Sequence, residues 1–183
     1  MEVFETAIPA VRRVVPRRHG DARGWFCEIY RADQLAAAGI ANVLVQDNQS
    51  FSAPAHTIRG LHFQTPPAAE AKLVRLLAGS ILGAAVDLRR ASPTYGRHVA
   101  VRLDATGGEQ LFVPAGFAHG FCTLESDTMV AYKFDAYYSP ANDRNPVWND
   151  PDLAIAWPIG EAEAALSDKD RAAPRLADLG PVF

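Results

Sequence analysis

The stretch HTIRGLHFQTPPAAEAKLV, residues 56–74, sets Arg59, His62, Gln64 and Lys72 among Ile58, Leu61, Phe63, Leu73 and Val74. A strand that only fills a core has no use for three basic groups, because an unpaired buried cation is costly. An imidazole takes and returns a proton near neutral pH. An ammonium beside it can steady a negative charge. Further along, Tyr132 lies in TMVAYKF, and a phenol of ordinary pKa about 10 can both give and regain a proton. Together they suit a site that holds something anionic or something that must lose a proton. A lone inward His or Tyr is more often a hydrogen-bonded core residue, whereas a buried Lys is rare without a partner or a task.

The elements that must hold these groups read as short strands. Runs such as AVRRVV, WFCEIY, VLVQDNQSF, TIRGLHF, KLVRLLAG, ILGAAVDLR, YGRHVAVRL, EQLFVPAG, HGFCTLE and TMVAYKFDAYY are separated by Gly, Pro, Asn and Asp. Close spacing of this many strands predicts an all-β sandwich or barrel rather than βαβ units. ADQLAAAG predicts a short helix closed by Gly39, GEAEAAL a second, and DATGG a hairpin connection; PRRHGDARG reads as a turn. Alternation places Thr128, Val130, Tyr132 and Phe134 on one, interior face. It groups Lys72, Val74, Leu76 and Ala78, with Arg75 opposite in water. In TIRGLHFQ a regular strand groups Ile58, His62 and Gln64 and turns Arg59 away, unless Gly60 marks a bulge.

Composition sets the frame. A chain of 183 residues, 49% hydrophobic and 21% charged, fits one globular domain. A net charge of −3 without a basic stripe argues against a nucleic-acid surface. Cys27 and Cys122 form neither a CxxC pair nor a zinc spacing, which suits thiols in a reducing compartment. The N-terminus lacks the apolar run of a signal peptide, and LLAGSILGAAV is too short to span a bilayer, so a soluble, cytoplasmic protein is expected.

GEQLFVPAGFAHGF fits Gly-x5-Pro-x-Gly-x2-His from Gly108 to His119. This resembles the second motif of the cupin superfamily, whose histidine is often a metal ligand. The first motif of metal-binding cupins has His-x-His and then a carboxylate. Here Gln64 follows His62, and Lys72 stands near the carboxylate position. A cation cannot ligate a divalent metal, so Lys72 is expected to supply the positive charge instead.

RGWFCEIY, QDNQSFS, RGLHFQ, KLVR, VDLRRASPTYG, VPAGFAHGF, YKFDAYYSP, WNDPDLAIAWP and LSDKD occur in this order from about residue 23 to 170. Together they resemble the dTDP-4-dehydrorhamnose 3,5-epimerase family. The resemblance implies a single cupin domain over 1–183, a double-stranded β-helix (jelly roll) with a few short peripheral helices. It implies a homodimer to which the N-terminal strands contribute, a tail from about 148 packed on the barrel, and neither metal nor organic cofactor. It implies dTDP-4-dehydro-6-deoxy-D-glucose as substrate, inverted at carbons 3 and 5.

By the same resemblance His62 is the base, Asp170 its carboxylate partner, Tyr132 the opposing acid and Lys72 the group at the enolate oxygen, with His119 assisting. Arg23 and Arg59 would meet the diphosphate. Glu28, Gln46 and Asn48 fall on nucleotide-contacting positions, and Phe26 or Tyr138 would stack on thymine. Asp143 and Lys169 fall on ligand positions, Asp143 where Glu is more familiar. Gly83 departs from the family pattern, which has an acid there, expected near Lys72. Two other readings keep the fold: an epimerase of a single carbon, and a non-catalytic sugar-nucleotide-binding cupin. A metal-dependent oxygenase is disfavoured by Gln64 and Lys72.

Overall fold

The computed structural model describes residues 1–183. Its strands are β1 (Glu2–Glu5), β2 (Arg12–Val15), β3 (Arg18–Asp21), β4 (Gly24–Cys27), β5 (Gln46–Ser52), β6 (Ile58–Gln64) and β7 (Lys72–Ala78). They continue with β8 (Ser80–Asp87), β9 (His98–Asp104), β10 (Gln110–Val113), β11 (Phe117–Thr123), β12 (Thr128–Phe134) and β13 (Asp143–Arg144). Two short helices, α1 (Ala32–Ala37) and α2 (Asp168–Arg171), lie outside the strands.

Two sheets make the cup. One runs β1-β2-β10-β7-β12-β5 and the other β13-β6-β11-β8-β9, while β3 and β4 pair only with each other. Strands adjacent in sequence are mostly not adjacent in a sheet, which is the jelly-roll signature. Between the sheets Val74, Leu76, Ile81, Leu111, Phe117 and Val130 form one buried cluster, each such side chain contributing about 1.5–3 kcal/mol by leaving water. The alternation read from β7 and β12 holds: Val74, Leu76, Val130 and Phe134 are buried, and Arg75 is not.

The bulge at Gly60 is real. His62 pairs with His119 and Arg59 with Phe121, so Gly60 and Leu61 together oppose Gly120 alone. Gly60 has φ +126, and a Cβ there would lie 2.4 Å from the Gly120 Cα; only glycine permits that approach. The extra residue resets the parity of the strand. Arg59 and His62 both reach the cavity, and Ile58, which also touches it, packs with Cys122 and Trp148.

Several local readings are corrected. PRRHGDARG contains β3 and its turn into β4; its charges hid a strand that is exposed on both faces. DATGG is no hairpin, because β9 pairs with β8 whereas β10 crosses to the other sheet. GEAEAAL forms only a 3-10 turn at Glu161–Glu163, while α2 arises in the unheralded SDKDR, capped by Ser167. The helix closed by Gly39 is present as α1, and Leu35 fixes it to Leu73 and Phe112. The tail packs Leu153 and Leu176 against Leu61, Phe63 and Val86.

Candidate active site

A cavity of about 570 Å³ opens between the sheets. His62, Arg59 and His119 enter from β6 and β11, Lys72 and Tyr132 from the facing β7 and β12, and Asp170 from α2. The Nε2–H of His62 donates to Asp170 Oδ1 at 2.6 Å. Ser167 donates from Oγ to Asp170 Oδ2 at 2.9 Å, and as helix cap it also accepts from the Asp170 amide. Burial pushes the Asp170 carboxyl up, but the His62 and Ser167 bonds and the neighbouring charges of His62 and Lys169 outweigh it and hold it below the ordinary carboxylate value. The dyad is therefore anionic at its carboxylate end and presents the other ring edge to the cavity.

Tyr132 stands on the opposite wall. Its hydroxyl shares a 2.9 Å hydrogen bond with Ser50 Oγ, and its ring stacks on Phe134. Burial pushes the phenol up to about 12, against the opposing pull of Ser50 and Arg59. It is a neutral proton donor throughout the physiological range. Lys72 is 6% exposed. Its ammonium donates to the His62 carbonyl at 3.0 Å and pairs with Glu70 at 3.0 Å. Burial lowers the Lys72 pKa, and Glu70 works against that.

His119 is buried, and desolvation with the charges of Lys72 and His62 brings it down to about 3. It is a neutral imidazole whose Nε2 has no hydrogen-bond partner. Gly83 explains the vacancy: a Cβ built there would lie 3.8 Å from that nitrogen, with nothing closer than 3.7 Å. This corrects the sequence expectation. The side chain missing at 83 is a neighbour of His119, and Lys72 has its carboxylate in Glu70.

The remaining predicted residues divide into three groups. Asn48 and Arg59 line the cavity, Arg59 held by Ser52 Oγ at 3.1 Å and the Phe51 carbonyl at 2.8 Å. Gln46, Tyr138, Asp143 and Lys169 form a linked set nearby. Gln46 accepts from the Tyr138 amide at 3.1 Å, and Tyr138 and Lys169 both donate to Asp143. Arg23, Phe26 and Glu28 are not brought to the cavity of their own chain. They lie on or just after the β3–β4 ribbon, where Arg23 pairs with Asp21 and Phe26 is 73% exposed. Gln64, aligned with a metal-ligand position, is buried and spends its amide on Glu70, Ala68, Tyr137 and Ser139. No group of three or more His, Cys, Asp or Glu is gathered as for a metal. Sequence reasoning missed Glu70, Ser50 and Ser167. Glu70 lies in the non-strand segment just ahead of β7, so no strand period announced its pairing with Lys72.

These features define a class: a jelly-roll protein whose cavity joins a histidine–carboxylate pair from one side to a phenol and an ammonium from the other. The family described as dTDP-4-dehydrorhamnose 3,5-epimerase matches residues 5–178. A dTDP-4-dehydrorhamnose 3,5-epimerase of Sinorhizobium fredii is 47% identical over 97% of this chain and 90% of its own. The crystal structure of the Bacillus anthracis enzyme with TDP and pyrophosphate bound superposes with a TM-score of 0.92 at 47% identity, covering 95% of this chain and 98% of that one. The Legionella pneumophila epimerase in complex with dTDP-4-keto-L-rhamnose gives 0.92 at 40% identity, covering 100% and 98%. The chain belongs to the dTDP-4-dehydrorhamnose 3,5-epimerase family, and it is an isomerase.

Proposed function

We propose that the protein converts dTDP-4-dehydro-6-deoxy-D-glucose to dTDP-4-dehydro-L-rhamnose by inverting carbons 3 and 5. The observation that carries this is the placement of His62 and Tyr132 on opposite sheets of one cavity. The 4-keto group acidifies the hydrogens on both neighbouring carbons. His62 removes one from one ring face, and Asp170 stabilises the imidazolium that forms. Lys72 faces the enolate oxygen, with His119 as a neutral second donor. Tyr132 returns a proton from the other face, and solvent restores both groups.

Arg59 meets the diphosphate, where a guanidinium makes paired hydrogen bonds, and Asn48 and Gln46 extend toward the nucleoside. In this reading Tyr138 stacks on thymine, and its contact with Asp143, shared with Lys169, supports its belonging to the same site. Arg23, Phe26 and Glu28 reach a pocket only across a subunit boundary. The β3–β4 ribbon pairs with nothing else in its chain, and Trp25, Phe26, Val43 and Phe51 are exposed. A homodimer in which each ribbon completes the partner's pocket accounts for both. Cys27 and Cys122 are free thiols, which suits the cytoplasm.

NMR of the substrate in deuterated water tests the reading. Deuterium is expected at both carbons with wild type and at neither with His62→Ala. Label at one carbon only would replace it with single-carbon epimerisation; no label with wild type would leave a binding protein. Mixing Arg23→Ala with His62→Ala protomers is expected to recover activity that neither has alone, and no recovery would exclude the shared pocket.

A further inference from the structure

Lys72 is the only buried Lys or Arg in the chain. A lysine ammonium has three hydrogens to place and loses much by leaving water. Two acceptors are found for it, the Glu70 carboxylate and the His62 carbonyl, each at 3.0 Å; beyond them lies the Phe134 ring, its centroid 5.7 Å away. Glu70 is itself buried at 9% exposure and does not line the cavity. Its other oxygen accepts from Gln64 Nε2 at 2.8 Å. Gln64 is held in turn by the Ala68 and Tyr137 carbonyls and the Ser139 amide. A buried relay therefore runs from the 137–139 loop through Gln64 and Glu70 to Lys72, ending on the backbone of the residue read as the base.

We propose that Glu70 is a positioning residue for the epimerisation, supplying from behind the cavity wall the counter-charge and the fixed acceptor that aim the Lys72 ammonium at the enolate oxygen. The proposal rests on Lys72 serving that oxygen. An ammonium left free to swing would meet the developing charge late, and a misplacement of about 1 Å costs on the order of a hundredfold in rate. The charged groups around Lys72 are few. Burial is the largest influence and favours the free amine; Glu70 and then Asp143 favour the ammonium, and Lys169 opposes it. His119 is neutral and adds no charge. Glu70 is the nearest anion, so removing its charge makes Lys72 lose its proton at lower pH, and activity that needs the ammonium falls off earlier as pH rises.

Glu70→Gln keeps the shape and removes the charge. The expected result is a kcat lower by about tenfold to a hundredfold, KM changed by less than about threefold, and an alkaline limb of kcat displaced to lower pH. Glu70→Asp should recover part of the rate and return the limb toward wild type, which a purely structural role would not produce. Gln64→Met, which frees Glu70 without discharging it, should lower kcat and leave the limb in place, and it stands as the test if Glu70→Gln does not fold. Wild-type kcat and pH profile in Glu70→Gln, or wild-type kcat in Gln64→Met, would overturn the proposal. Lys72→Met separates the two layers: full activity there removes the role of Lys72 itself, whereas an inactive Lys72→Met beside a normal Glu70→Gln removes only the role of Glu70.

Discussion

His119 and Tyr132 are driven to their neutral forms by the same loss of water, one brought down to about 3 and the other up to about 12. The consequence differs because their partners differ. Tyr132 has Ser50, and losing one such bond costs about 1 kcal/mol. Ser50→Ala is therefore expected to slow turnover about fivefold, whereas Tyr132→Phe should abolish it with dTDP affinity kept; turnover and calorimetric binding check both. His119 has no partner at Nε2 because position 83 carries no side chain. Gly83→Asp places a carboxylate within reach of that nitrogen, and the Cβ meets only ordinary contacts. An opposite charge favours the protonated ring, so the His119 titration followed by NMR is expected to move well above about 3. An unmoved titration would show that the gap does not control the ring.

At the scale of elements, the cavity depends on a strand that changes parity halfway. Gly60→Ala forces a Cβ against the Gly120 backbone at φ +126, and the expected loss is on the order of 3 kcal/mol, measured by chemical denaturation. Asp87, at the end of β8, is fully buried and accepts from Arg89, Ser92 and Thr94. Burial raises this carboxyl, yet those bonds prevail and hold it far below the ordinary range. Its native pKa lies below the unfolded one, so its stabilisation is complete above the ordinary carboxylate value and disappears as pH falls through the lower native value. Asp87→Ala should cost about 2–3 kcal/mol at neutral pH, and the deficit against wild type should shrink in strong acid. β12 was legible because it buries one face, and alternation records that directly; β7 was legible along Val74 and Leu76, although Leu73 is buried on its other face. β3 was not, since it buries neither face and left no period to read. The DATGG misreading has a different origin. Turn chemistry reports where the chain bends but not which sheet it joins next, and in this topology the following strand crosses over.

For the whole molecule, the ordered tags in the sequence carried the family, and the cup architecture followed from them. What they did not carry was the set of contacts made across long separations. Glu70 stands only two residues ahead of Lys72, but its tie to Gln64 and the 137–139 loop exists only once β6 is folded against β12's continuation. The displacement of Arg23, Phe26 and Glu28 from the cavity of their own chain likewise has no local signature, because the composition of a ribbon does not record which cavity its side chains meet. Sedimentation is expected to give a dimer, and replacing Trp25 and Phe26 together by Ser should weaken it and raise KM with it. A monomeric wild type of full activity would contradict the shared pocket.

The imidazole and its carboxylate partner are 108 positions apart in the chain, one on a barrel strand and the other on a four-residue helix in the trailing segment. That segment is fastened through side chains such as Leu153 and Leu176 and by one short parallel bridge, in which Ala165 exchanges backbone hydrogen bonds with His56 and Ile58. On the proposed mechanism, peeling it away disarms proton abstraction while the two sheets stay intact. Catalysis is thus a more sensitive gauge of a docked C-terminus than any spectroscopic signal from the strands. On gentle heating turnover should vanish first, and a protease nick ahead of residue 168 should silence a protein that still looks folded.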